Sequence, residues 1–194
     1  RDLHSFPTRR SSDLAAFVSA GRFFGRYENI IVCGAPSKTF NLAGLFTSNI
    51  IFNNPAHKKA FDDRQNEIFC GHVNLMGMIA AETAYKKCGG WVKRQNKFLQ
   101  KNYRYMVKFF QKRLPKAVVA QMDGTYLAFV NLTYLGLDGE TIDREMQKHG
   151  ITLNTGEMYG KDYGGWVRIN IACPRIQLKR GLRRIAECCR ANEK

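Results

Sequence analysis

"CGAPSKTFNLAGL", residues 33–45, sets one lysine, Lys38, between Ser37 and Thr39 in a glycine-punctuated turn. The turn follows Ile30-Ile31-Val32. A run this short, apolar and β-branched predicts a buried strand of a parallel sheet over 29–33. Ligands of α/β folds bind beyond the carboxyl ends of such strands, which is where Lys38 falls. Three readings of it compete. It is not the lysine of a phosphate-cradling loop: Ser37 replaces the required glycine, Val32 stands where the first glycine belongs, and Pro36 removes a backbone N–H. It could be a surface lysine in a turn, the common fate of lysine. Or it forms an imine, which requires the neutral amine, with burial against Phe40, Leu42 and Leu45 expected to favour that form.

Outward from the lysine, "SNIIF" (48–52) predicts a second strand, stopped by Asn53-Asn54-Pro55. Residues 60–88 follow a helical pattern that ends at Gly89-Gly90. A long helix is expected from Trp91 toward Leu114, with Leu99, Tyr103, Met106 and Phe110 on one face and Pro115 as its stop. Short elements follow: strands near 117–121 and 125–132, a helix over 139–149 and a short "ITL" after Gly150. A strand is expected at 165–172 and a final helix over 176–190. That helix should bury Leu178, Leu182, Ile185 and Cys189 and expose Lys179, Arg180, Arg183 and Arg184. In "GWVRINIA" (165–172) strand alternation puts Trp166, Arg168 and Asn170 on one face, with Val167, Ile169 and Ile171 facing the core. Pattern alone leaves Arg168 as either an exposed strand arginine or a fork for a carboxylate. The fold class is α/β: part of a parallel-sheet domain over 15–90, then a linking helix and a smaller α+β domain over 91–194.

Composition narrows the function classes. The net charge of +15 is spread through "HKK" (57–59), "KRQNK" (93–97) and "LKRGLRR" (178–184), on the polar sides of expected helices. Solvated helix faces explain it, so no nucleic-acid partner is expected; a basic nucleic-acid-binding module is the weakest alternative. No apolar run approaches a membrane span. The six cysteines and four histidines show no metal-ligand spacing, so no metal is expected, and unpaired thiols fit the cytoplasm. Residues 2–14 of "RDLHSFPTRRSSDL" can be encoded by a common sequencing-library adapter. Residues 1–14 are therefore read as a non-native scar, and the natural sequence is expected from Ala15.

"APSKTFNLAGL" (35–45) resembles the cofactor-lysine motif of fold-type I pyridoxal-phosphate enzymes, aminotransferase class I and II. It is similar more narrowly to the MalY/PatB subgroup of cystathionine β-lyases. "DGTYLAFVNL" (123–132) resembles that subgroup's E-G-T-Y-L-x-W stretch. "GEMYGKDYGGWVRINIACPR" (156–175) resembles its G-x-x-F-G-x-x-G-x-F-V-R-L-N-x-A-C-P-R. The resemblance covers residues 15–194 and corresponds to the C-terminal half of such an enzyme. It implies that Lys38 carries pyridoxal 5'-phosphate and serves as the catalytic base, and that Arg168 holds the substrate α-carboxylate. The implied reaction is β-elimination from a sulfur amino acid, releasing a thiol, pyruvate and ammonia, in a parent that is a homodimer. An aminotransferase of the same fold is the alternative. Ala35 and Phe46 stand where many class I members carry a phosphate-binding serine and an arginine, and this half alone is expected to be inactive. "NTG" and "MYG" (154–160) resemble a loop that closes near the substrate, with no single residue assigned a role.

Overall fold

The computed structural model describes residues 18–71 and 74–193; the adapter-like residues 1–14 lie outside them. The first apolar runs do form strands. β1 (Ile31–Gly34) returns as β2 (Asn49–Phe52), with α1 (Pro36–Thr39) and a 3-10 turn, Ala43–Leu45, between them. The pair is antiparallel, with Ile31 opposite Phe52 and Gly34 opposite Asn49. The strand expected over 29–33 is therefore present; the neighbour it has within this chain is antiparallel, and Ile31 is 48% exposed. An apolar β-branched run encodes extended backbone and says nothing about which strand lies beside it. Here the segment after β1 turns through α1 and the 3-10 turn and returns alongside β1 in antiparallel register.

Asn54 caps the next helix by accepting from the Ala56 amide at 2.8 Å, and Pro55 occupies the first position, where its missing N–H is harmless. That helix, α2 (Pro55–Glu67), is separate from α3 (Leu75–Lys87), so the single helical stretch expected over 60–88 is two. Phe69 adopts a left-handed backbone (φ 53°), which no helix interior accommodates. Asn74 then restarts the helix, accepting from the Met76 amide at 3.0 Å. α4 (Gly89–Arg113) is the long helix, and the division between two compact units falls within it, at Gln95/Asn96.

The second unit is built on β3 (Val118–Val119), β4 (Leu127–Asn131), α5 (Gly139–Lys148), β5 (Asn154–Thr155), β6 (Trp166–Asn170) and α6 (Arg175–Ala191). Its strands run in the order β3-β4-β6-β5, every neighbouring pair antiparallel. Alternation along β4 and β6 sends Ala128, Val130, Val167 and Ile169 inward. Against them pack Leu99, Met106 and Phe110 of α4, which repeat at helical spacing, and the expected inner face of α6. Asn102 is the buried polar residue of this core. Its Nδ2 donates to the carbonyls of Ile171 (2.8 Å) and Cys173 (3.0 Å), tying the exit of β6 to α4.

Candidate functional site

α1 is a single helical turn, and its register decides where Lys38 points. Pro36 and Phe40 are four residues apart, so both fall on the inward side and are buried. Lys38 lies two residues from each, roughly 200° around the helix, and is exposed. The burial expected for it against Phe40, Leu42 and Leu45 is thus absent. Phe40 takes the apolar position instead, packing edge-on against Tyr85 of α3 with ring centres 5.2 Å apart. The loop that leaves the turn is gripped by α3 as well. A Cβ on Gly77 would lie 1.9 Å from Thr47 Oγ1, and Asn74 Nδ2 donates to the Leu45 carbonyl at 3.2 Å. Only a glycine allows that approach. Asn41 (φ 57°) and Phe46 (φ 47°) are left-handed on either side of the 3-10 turn. Asparagine tolerates that conformation, whereas for a phenylalanine it is strained.

An aldehyde-bearing cofactor needs a primary amine within reach, and Lys38 offers one. Among the described residues no carboxylate pairs with it. In that respect the turn fits pyridoxal phosphate. The side chains of Ala35 and Phe46 offer its phosphate no polar contact, and the turn leaves the Lys38 amine in solvent.

Arg168 belongs to the second unit. β6 puts it on the face opposite the core, with Phe129 of β4 and Asn154 of β5 as its lateral neighbours in register. Its Nη2 donates to Asn154 Oδ1 at 2.8 Å, and its Nη1 donates to the hydroxyl of Tyr159. The Tyr159 ring lies beside the guanidinium, with the ring centre 5.6 Å from Cζ. Phe129 stacks on Trp166 at 4.9 Å and meets Tyr159 edge-on at 5.7 Å. Arg168 therefore stands against an aromatic wall. Asn154 and Tyr159 went unassigned in the sequence because only sheet register and the loop's path bring them to residue 168. A cavity of about 310 Å³ is lined by Asn154 and Arg168 together with Gln177 and Gly181 of α6.

The thiols of this unit are not candidates for nucleophiles. Burial raises Cys173 and Cys188 above the ordinary thiol range and pushes Cys189 up to about 12, so each keeps its proton. Among the described residues no three acidic, histidine or cysteine side chains are grouped to hold a metal. No described helix is long and apolar enough to cross a membrane.

The sequence matches the family model for aminotransferase class I and II over residues 11–185. It is 34% identical to cystathionine β-lyase PatB of Bacillus subtilis (strain 168), across 80% of this chain and 40% of the relative. Cystathionine β-lyase of Corynebacterium glutamicum is 31% identical, across 87% and 45%. The solved PLP-bound C-S lyase from Staphylococcus hominis superposes with a TM-score of 0.84 at 30% identity, covering 94% of this chain and 46% of the lyase. The chain thus spans under half the length of these relatives.

Proposed function

Since the chain belongs to the aminotransferase class I and II family, on its MalY/PatB-like side, we propose that it is part of a pyridoxal-phosphate-dependent carbon–sulfur β-lyase. Its substrate would be a small sulfur amino acid, the whole enzyme a homodimer working in the cytoplasm. The observation that carries this reading is Lys38: an unpaired amine on a fixed turn at the carboxyl end of β1, in a chain of this family. The first unit leaves Phe46, Leu75 and Met76 in solvent, and apolar faces of this kind call for cover from the rest of a longer protein or from a partner subunit.

In this mechanism Lys38 holds the cofactor. When bound, the cofactor supplies an electron sink for the bonds at the substrate's α carbon. Once the substrate's amine has released it, the Lys38 amine, in its neutral form, would take the proton from that carbon, and the sulfur on the neighbouring carbon would leave as a thiol. Because the turn leaves Lys38 in solvent, the desolvation that favours the neutral amine has to come from surfaces beyond the turn. Arg168 grips the substrate carboxylate with two parallel charge-assisted hydrogen bonds, fixing which α-carbon bond faces the sink. Asn154 and Tyr159 keep the guanidinium on the sheet face.

The test is made on the complete protein that carries this chain. Incubation with pyridoxal phosphate, borohydride reduction and peptide mapping should find the cofactor on Lys38, and Lys38→Ala should retain none after dialysis. Pyruvate should then appear from cystathionine with no keto acid acceptor present. Cofactor retained by Lys38→Ala would remove Lys38 from the role. A strict requirement for a keto acid would make the enzyme an aminotransferase.

A further inference from the structure

Both partners of Arg168 come from one stretch of chain, residues 154–166, which arches from β5 to β6. The arch is tied down at several points. A Cβ on Gly156 would lie 2.0 Å from the Tyr163 carbonyl, so the chain folds tightly on itself there. Glu157 Oε1 accepts from the Gly139 amide at 3.0 Å, at the first turn of α5. Gly160 follows Tyr159 at φ 143°, a conformation that side chains rarely adopt. The Gly165 carbonyl accepts from the Leu132 amide at 2.8 Å. Phe129 then fixes the Tyr159 ring from the side.

We infer that Tyr159 is a positioning residue for Arg168, holding its guanidinium as a fork that receives the substrate's carboxylate. A guanidinium carries five N–H groups, two on each terminal nitrogen. Asn154 takes one from Nη2 and Tyr159 one from Nη1. One N–H remains on each terminal nitrogen, together with the Nε–H, enough donors for two parallel hydrogen bonds to a carboxylate. The Tyr159 side is well exposed, at 46%, so water would satisfy its hydroxyl equally well. What the contact adds is geometric: a long side chain already held in place loses less freedom when its ligand arrives. The inference rests on the proposed role of Arg168.

The experiment uses the complete, cofactor-loaded protein and two probes, L-alanine and ethylamine, which differ by the carboxylate. Binding of each is read from the cofactor's absorbance. Tyr159→Phe keeps the ring and removes one hydrogen bond, so L-alanine should weaken about 3- to 10-fold while ethylamine is unchanged. Unchanged L-alanine affinity, or equal weakening of both probes, would overturn the inference. Arg168→Lys, measured alongside, separates the two claims. If it weakens L-alanine alone while Tyr159→Phe alters nothing, Arg168 keeps its role and Tyr159 loses its own. If it leaves the preference for L-alanine intact, the role of Arg168 falls, and the inference with it.

Discussion

The two units treat their apolar side chains in opposite ways. In the second, Met106 and Phe110 are 0% and 1% exposed, and one continuous core joins α4, the four-stranded sheet and α6. In the first, the buried cluster is Phe40, Ala84 and Val92, while Phe46 is 92% exposed, Met76 67% and Leu75 61%. The difference matters for chemistry. Arg168 stands on a platform that packing already holds rigid, whereas Lys38 stands on a turn anchored mainly by Phe40 and the contact at Gly77. A fork for a carboxylate needs fixed orientation. A lysine that must be neutral needs exclusion of water, and the first unit by itself does not supply that.

The sharpest way to break this comparison is to cut matching side chains in the two cores. Phe110→Ala removes a ring with no solvent contact and should cost about 3–5 kcal/mol. Phe40→Ala should fall at or below the lower end of that range, because few buried neighbours surround the space it leaves. Urea unfolding followed by the signal of each unit measures both. Equal costs would mean that the first unit is as tightly packed as the second.

Asn102 gives a smaller and more local test. Asn102→Leu keeps the bulk but leaves the Ile171 and Cys173 carbonyls without their donor in the core. An unsatisfied buried acceptor costs about 1–3 kcal/mol. The loss should appear in unfolding of the second unit while leaving the cofactor retention proposed for Lys38 untouched. A neutral substitution would mean that the β6 exit is held by packing alone.

Much of the second unit was legible in the sequence, because its elements declare themselves locally. The 4-3-4 spacing of Leu99, Tyr103, Met106 and Phe110 marks a buried helix face, and alternation from Trp166 to Ile171 assigns Arg168 to the outer face without any tertiary information. The first unit was less legible. A short apolar run says strand and leaves its partner open, hence the parallel reading of 29–33. Apolar residues beside Lys38 suggested burial, but one turn of helix sends Phe40 inward and Lys38 out. The helix break near Phe69 had only Cys70-Gly71 to signal it. Asn154 and Tyr159 lie 14 and 9 residues from Arg168. Nothing in local pattern points from one to the other, since the link is the pairing of β5 with β6.

The mildest effect expected is a pH dependence confined to the second unit's core. Cys189 is fully out of water, and burial, then the neighbouring Cys188 thiol, hold its own thiol up to about 12 against an ordinary 9.0. Tyr134 beside it is also raised, by burial first and by Cys189 second. In the folded chain the Cys189 proton stays on where the unfolded chain has already released it. The stability linked to this group is therefore whole below pH 9 and is lost as pH climbs toward 12. From pH 9 to about pH 10 the single thiol should remove ~1 kcal/mol. Cys189→Ala leaves a small cavity and lowers the starting stability, yet its unfolding free energy should fall less steeply over the same interval. The difference between the two slopes separates the thiol, with the part of the Tyr134 shift that it causes, from the lysines and other tyrosines that titrate in both proteins. Parallel slopes would show that water reaches Cys189, and that this core is less dry than its packing implies.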